Sequence, residues 1–233
     1  MVKIQIIEKL FLHILTYSYL LLPLTFFLSR SKRRDDFIIG VYGILFFILL
    51  YLINPDHRYI PESYTQVYQT SYTFCEYLFF TYLLFRNITI KSFRIIILLF
   101  SIFFIGFLLY SHLTKSYGLV DSIPVGIETI LIFVFISFFF YQNFKSTNDE
   151  YIYTQSCFWL SVGILIYLGG TFFFNILVNH IDLSQVVKYW FLTYIADIIK
   201  NLLFCISIIV YVRTPHKEKS LHKSVPYLDL DMN

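Results

Sequence analysis

Long apolar runs separated by short clusters of charge and proline set the pattern of this chain. Runs such as Ile44–Ile53 and Ile130–Tyr141 are apolar almost throughout and lack the alternation that strands of a membrane barrel display. A spanning helix needs about 20 mostly apolar residues. Seven stretches meet that requirement, near Ile6–Leu28, Phe37–Asn54, Val67–Phe85, Ile95–His112, Ser122–Gln142, Gln155–Val178 and Tyr189–Val212. The clusters that end them, SRSKRRDD, NPDHRYIPES, KSTNDE and RTPHKEK, would all be costly in hydrocarbon. The expected fold is all-α, a polytopic bundle of seven transmembrane helices over residues 1–213 with a short cytoplasmic tail at 214–233. Pro23 predicts a kink in the first run and Pro124 a helix start in the fifth. Gly40, Gly43, Gly106, Gly163, Gly169 and Gly170 read as points of close helix approach. Tyr51, Tyr189 and Trp190 read as interfacial belt residues.

Composition narrows the class. Charged residues make up 14% of 233, against about 25% in soluble domains. Hydrophobic residues reach 58% and aromatics 21%, an inventory that cannot supply the surface of a water-soluble globule. Cys75, Cys157 and Cys205 lie inside apolar runs without a CxxC or a His/Cys cluster, so they read as small apolar fillers and signal neither disulfides nor a metal site. His13, His112 and His180 are scattered, and His57 with Glu62 in one loop is too little for hydrolase or transferase chemistry. No catalytic residue is assigned, and the chain does not read as an enzyme.

Short loops rich in Lys and Arg stay cytoplasmic. Twelve basic residues fall on one side: Arg30, Lys32, Arg33 and Arg34, then Arg86, Lys91 and Arg94, then Lys145, then Arg213, Lys217, Lys219 and Lys223. Five, Lys3, Lys9, Arg58, Lys115 and Lys188, fall on the other. The expected topology is N-terminus outside and C-terminus cytoplasmic, in a bacterial inner membrane. The first run is too long for a cleavable signal peptide and is expected to act as an uncleaved anchor. The sequon Asn87-Ile-Thr89 falls on the cytoplasmic side and reads as chance. The basic clusters read as topology determinants, with no nucleic-acid partner.

One basic residue belongs to neither face. Lys200 lies in the middle of the last run, where an ionised lysine costs roughly 2.5–3.5 kcal/mol on insertion scales. Three acids lie in the interior of runs, away from their ends: Glu76, Glu128 and Asp197. Counted from the starts of their helices, Glu76 and Lys200 fall at nearly one depth, with Glu128 and Asp197 slightly further out. Asp197 precedes Lys200 by three residues and shares its face. Gln69 and Thr73 extend the face of Glu76 outward, and Asn201 and Asn175 offer amides. The segment VYQTSYTFCE is the least apolar of any run, which predicts a hydrated or ligand-sized pocket open to the outside. If all three acids were ionised, one lysine would leave a net charge of −2, so the cluster is expected to hold a proton. A static ion network that specifies helix docking is the competing interpretation of the same residues.

The segments YQTSYTFCEYLFFTYLLFRN and YIADIIKNLLFCISI resemble a family of uncharacterised seven-helix inner-membrane proteins common in Bacteroidota, a likeness that implies layout but no activity. The layout is also similar to microbial rhodopsins, in which a helix-three carboxylate is the counterion of a retinal Schiff base on a helix-seven lysine. That likeness implies Glu76 as counterion, Tyr77 in the place of a pocket tryptophan, Lys200 as the retinal lysine and Asp197 as second counterion. The chain departs from the pattern in spacing Asp197 three residues before Lys200, in lacking an arginine one turn before Glu76, and in carrying Trp159-Leu-Ser-Val162-Gly163 in helix six. The leading expectation is a seven-helix sensor or signalling protein with a ligand- or proton-binding pocket of Glu76, Lys200, Asp197, Glu128, Gln69, Thr73 and Asn201. It would pass a change to a cytoplasmic or membrane partner. A rhodopsin-like retinal protein and a proton-coupled or small-solute transporter are the alternatives.

Overall fold

A computed structural model describes residues 2–53, 64–114, 122–145, 152–178, 180 and 183–214. The loop holding His57 and Glu62 and the tail 215–233 lie outside them. The described chain is helical, with no strand: α1 Val2–Ser18, α2 Leu21–Ser29, α3 Arg34–Ile53, α4 Thr65–Asn87, α5 Lys91–Thr114, α6 Ser122–Lys145, a 3-10 turn Ile152–Thr154, α7 Ser156–Leu177 and α8 Leu183–Arg213. Six segments are long and apolar enough to cross a membrane: Lys9–Ser29, Arg34–Leu52, Lys91–Thr114, Ser122–Lys145, Ser156–Leu177 and Tyr189–Arg213. They mark the chain as a multi-pass membrane protein. The remaining expected stretch, Val67–Phe85, forms α4, which is the right length but not apolar enough to join the six. Its polar positions are the cause, and Thr73 and Glu76 among them are buried against other helices.

Two departures from expectation are the largest. The last helix begins at Leu183, six residues before the expected start at Tyr189. The first run is not one helix but two, broken at Tyr19 and Leu20. Pro23 is the reason: it has no N–H to give the Tyr19 carbonyl, and its ring crowds that carbonyl out of the helical path. The freed Tyr19 carbonyl accepts instead from Leu22 N–H at 3.3 Å. The disruption therefore falls one turn before the proline.

α8 packs on α7, α1 and α2, while α4 packs on α3, α5, α6 and α7. Between them lies an aromatic core that includes Tyr19, Tyr42, Phe46, Tyr77, Phe80, Phe135 and Phe204. α5 sits at the edge, with Leu99, Ile102, Phe103, Leu109 and Leu113 exposed as a lipid-facing helix requires. The break in the first span is backed by Gly43 of α3. A Cβ there would lie 2.6 Å from the Tyr19 carbonyl oxygen, 2.8 Å from Leu22 Cβ and 2.9 Å from Pro23 Cδ. Gly163 and Gly170 play a milder version of the same role, admitting Leu203 and Ala196 of α8 at 3.2 and 3.1 Å from their Cβ positions.

Because backbone and a proline ring cannot yield as a flexible side chain would, Gly43→Ala is expected to cost about 1–3 kcal/mol, the usual range for overpacking. Gly106→Ala on α5, whose Cβ would meet nothing within 4 Å, should be close to neutral. Thermal unfolding of both variants in detergent measures the difference, and equal melting temperatures would contradict the close approach at Gly43.

Candidate functional site

Lys200 is fully enclosed, with 0% of its surface exposed. Its ammonium lies 2.6 Å from Asp197 Oδ1 and donates to Tyr42 Oη at 2.7 Å and Tyr19 Oη at 3.1 Å. Those three contacts use the three N–H donors an ammonium has. Tyr19 relays the charge, accepting from Lys200 while its own hydroxyl lies 2.9 Å from each Asp197 carboxylate oxygen. Glu76 stands further off, with Oε1 at 3.9 Å from the ammonium, and Oε2 accepts from Tyr167 Oη at 3.1 Å. The rings of Tyr167, Tyr19, Tyr42 and Phe80 surround Nζ, with centroids at 4.1, 5.2, 5.2 and 5.7 Å. A desolvated ammonium facing aromatic rings gains about 2 kcal/mol or more from their quadrupoles.

The i, i+3 spacing on α8 brings Asp197 and Lys200 together, as the sequence suggests. Asp197 is the tight partner and Glu76 the loose one, so depth counted from helix starts ranks them in the wrong order. Glu128 of α6 is buried at 1% exposure and makes no ion pair among the described residues, and its Oε1 accepts no hydrogen bond. Thr73 is buried one turn before Glu76 on α4, and Gln69 is half-buried one turn before that. Asn201 points away from the lysine: its amide donates to Ser18 Oγ at 2.8 Å, tying α8 to the end of α1. Asn175 is half-buried on α7. Glu76, Asp197, Glu128 and Lys200 are all buried.

Four residues of the site, Tyr19, Tyr42, Tyr167 and Phe80, do not stand out in the sequence among 47 tyrosines and phenylalanines. A usable signal was present: a tyrosine in the middle of an apolar run carries a hydroxyl that needs a partner. Tyr19 lies on the buried stripe of Leu15 and Leu22, with its ring against Tyr42 and Phe46.

A second polar cluster closes one end of the same bundle. Arg33 pairs with Asp35 at 2.6 Å and donates to Asn87 Oδ1 at 2.9 Å and to Ser156 Oγ. Its guanidinium lies over the Tyr211 ring at 4.9 Å. Arg86 completes Asp35 from the other side at 2.8 Å. Asp36, also buried, accepts from Ser31 at 2.5 Å. Gln142 of α6 joins by donating to the Asn87 carbonyl at 2.7 Å and accepting from Thr89 N–H at 2.8 Å. The SRSKRRDD cluster, read from sequence as a stop signal, thus supplies a buried acid and an arginine that joins α3, α4, α7 and α8. The Asn87 side chain is spent inside this network.

Comparison with protein-family models, with curated proteins and with solved structures finds no match to this chain. What the site can do rests on its own geometry. A retinal on Lys200 would convert Nζ to a Schiff base with a single N–H, giving up two of the three contacts to Asp197, Tyr42 and Tyr19. The residues around Nζ do not fit that group in this arrangement. Among the described residues no group of three or more His, Cys, Asp or Glu is placed to hold a metal ion.

Lys200→Met leaves Asp197 as a buried charge without its cation, at a cost of about 3–5 kcal/mol for breaking one member of a buried pair. The double variant Asp197→Asn with Lys200→Met removes both charges and should recover much of that loss. Unfolding curves for the two single variants and the double, analysed as a cycle, check it; additive losses would mean that the pair is not coupled. Added all-trans-retinal should give no red-shifted absorption band that Lys200→Ala removes, and such a band would overturn the geometric argument.

Proposed function

We propose that this chain is a seven-span sensor or signalling protein of a bacterial cytoplasmic membrane, in which the Lys200 cluster responds to a signal and the Arg33 cluster is the output end. In this reading α4 is the seventh crossing. Its 23 residues span about 34 Å at 1.5 Å per residue, and its polar positions are tolerated because Thr73 and Glu76 are turned into the bundle. The charge asymmetry places the N-terminus outside and the Arg33 end in the cytoplasm, where a signalling partner would meet the basic loops.

One observation carries the reading: the same four helices meet at both clusters. α3 contributes Tyr42 to one and Asp35 to the other, and α4 contributes Glu76 and Asn87. α7 contributes Tyr167 and Ser156, and α8 contributes Lys200 and Tyr211. Along each helix the two contacts are separated by about 10–17 Å at 1.5 Å per residue. Both clusters are made of discrete polar contacts that are either formed or broken, and rigid helices join them. A two-state element biased from both ends is what coupling between distant sites requires.

A transporter is the second reading, favoured by the broken first span. Interrupted helices at substrate or ion sites are a recurring feature of transporters, and here the interruption supplies a ligand to the buried ammonium. Flux of protons or small solutes in proteoliposomes, abolished by Glu76→Gln, would select it over the sensor.

The sensor reading predicts that disturbing the Lys200 cluster loosens the opposite end. In Glu76→Gln, amide exchange at Phe37 and Phe158, whose N–H groups bond to the Arg33 and Gln155 carbonyls at 3.2 and 3.1 Å, should rise by about 5-fold or more, the low end of typical site-to-site coupling. Exchange mass spectrometry on protein in lipid measures this. Unchanged rates in Glu76→Gln and in Lys200→Met would remove the basis for signalling through the bundle.

A further inference from the structure

Among the described residues, Glu128 is a buried acid that belongs to neither polar cluster. Its side chain is 1% exposed, its Oε1 has no hydrogen-bond partner, and no Lys, Arg or His nitrogen comes within ion-pair distance among the described residues. The groups that face it are few. From α4 come Glu76 and Tyr77, and from α8 comes Lys200. The Tyr77 hydroxyl is 2.8 Å from Ser101 Oγ of α5. α7 carries no Asp, Glu, Lys, Arg or His along Ser156–Leu177. On α5, the ring of His112 is turned toward α4, with Nδ1 at 3.1 Å from Thr70 Oγ1. Lys200 has no donor to spare, since Asp197, Tyr42 and Tyr19 take all three.

An anion in that position would be desolvated and without an ion-pair partner among the described residues, a combination that proteins avoid by keeping the group neutral. We propose that Glu128 is a proton-binding site, a neutral carboxylic acid in the closed arrangement described here. The ligand is the proton, carried as an O–H bond on the Glu128 carboxyl group and released to water when the bundle opens. Release leaves an added negative charge beside one ammonium that already serves Asp197 and Glu76, and so changes how the Lys200 cluster is shared. The consequence for signalling rests on the function proposed above; the site itself does not.

Infrared spectroscopy of the purified full chain in lipid reads the protonated acid directly, through its carbonyl stretch on the high-frequency side of the amide I band. The expected result is a carboxylic-acid band in the wild type that Glu128→Gln removes and Glu76→Gln retains. An amide matches a neutral acid in shape, so Glu128→Gln should keep the wild-type melting temperature. If that variant does not accumulate, Glu128→Asp should shift the band. A wild type without the band, a band that survives Glu128→Gln or stays unmoved in Glu128→Asp, or one lost instead in Glu76→Gln overturns the assignment. The band reports only where the proton sits, so its loss as evidence would leave the exchange test of coupling standing, and the converse also holds.

Discussion

A fully buried ammonium must be satisfied by its neighbours, and Lys200 draws on most of the bundle to achieve this. Asp197 is supplied by its own helix, Tyr42 by α3, Glu76 and Phe80 by α4, Tyr167 by α7 and Tyr19 by the break between α1 and α2. Hydrogen bonds to charged groups contribute about 1.5–3 kcal/mol each, enough for a few of them to offset an insertion cost of roughly 2.5–3.5 kcal/mol. The arrangement is favourable only when complete, because each partner left behind by a missing one is itself a buried polar group.

That requirement reaches into the backbone. Beside Tyr19, which meets the lysine, Pro23 prevents the first span from continuing as one helix, and the displaced Tyr19 carbonyl is accommodated because position 43 has no side chain. Three residues from different parts of the chain therefore act as one device: a proline that breaks, a glycine that makes room and a tyrosine that uses the room. α5 stands at the other extreme. It packs on α4 and α6, exposes most of its apolar surface and reaches its neighbours through few polar groups, among them Ser101, His112 and Arg94.

The Arg33 cluster repeats the logic with the signs exchanged. There Asp35 is the buried ion, and Arg33 and Arg86 close on it from two sides. Guanidinium geometry explains why an arginine serves at this junction: its planar fork reaches Asn87, Ser156 and Asp35 together while its face covers Tyr211. A lysine lacks both the planar fork and the stacking face. The bundle is thus tied twice, once at its centre by an ammonium and once at its end by a guanidinium.

Much of this was legible in the sequence. Apolar run length and charge placement determine the helical class, the multi-pass character and the approximate ends of the helices, because the cost of charge in hydrocarbon acts on each segment independently of its neighbours. The pairing of Asp197 with Lys200 was also legible, since i, i+3 spacing is a local geometric fact. What lies beyond local spacing was not. That Tyr19, Tyr42 and Tyr167 converge on the lysine, that Glu128 stays unpaired while Asp35 is doubly paired, and that Gly43 serves the first span all depend on which helix faces which. Apolar composition does not specify rotation about a helix axis when most faces are greasy, so only the tertiary packing decided which polar tips meet.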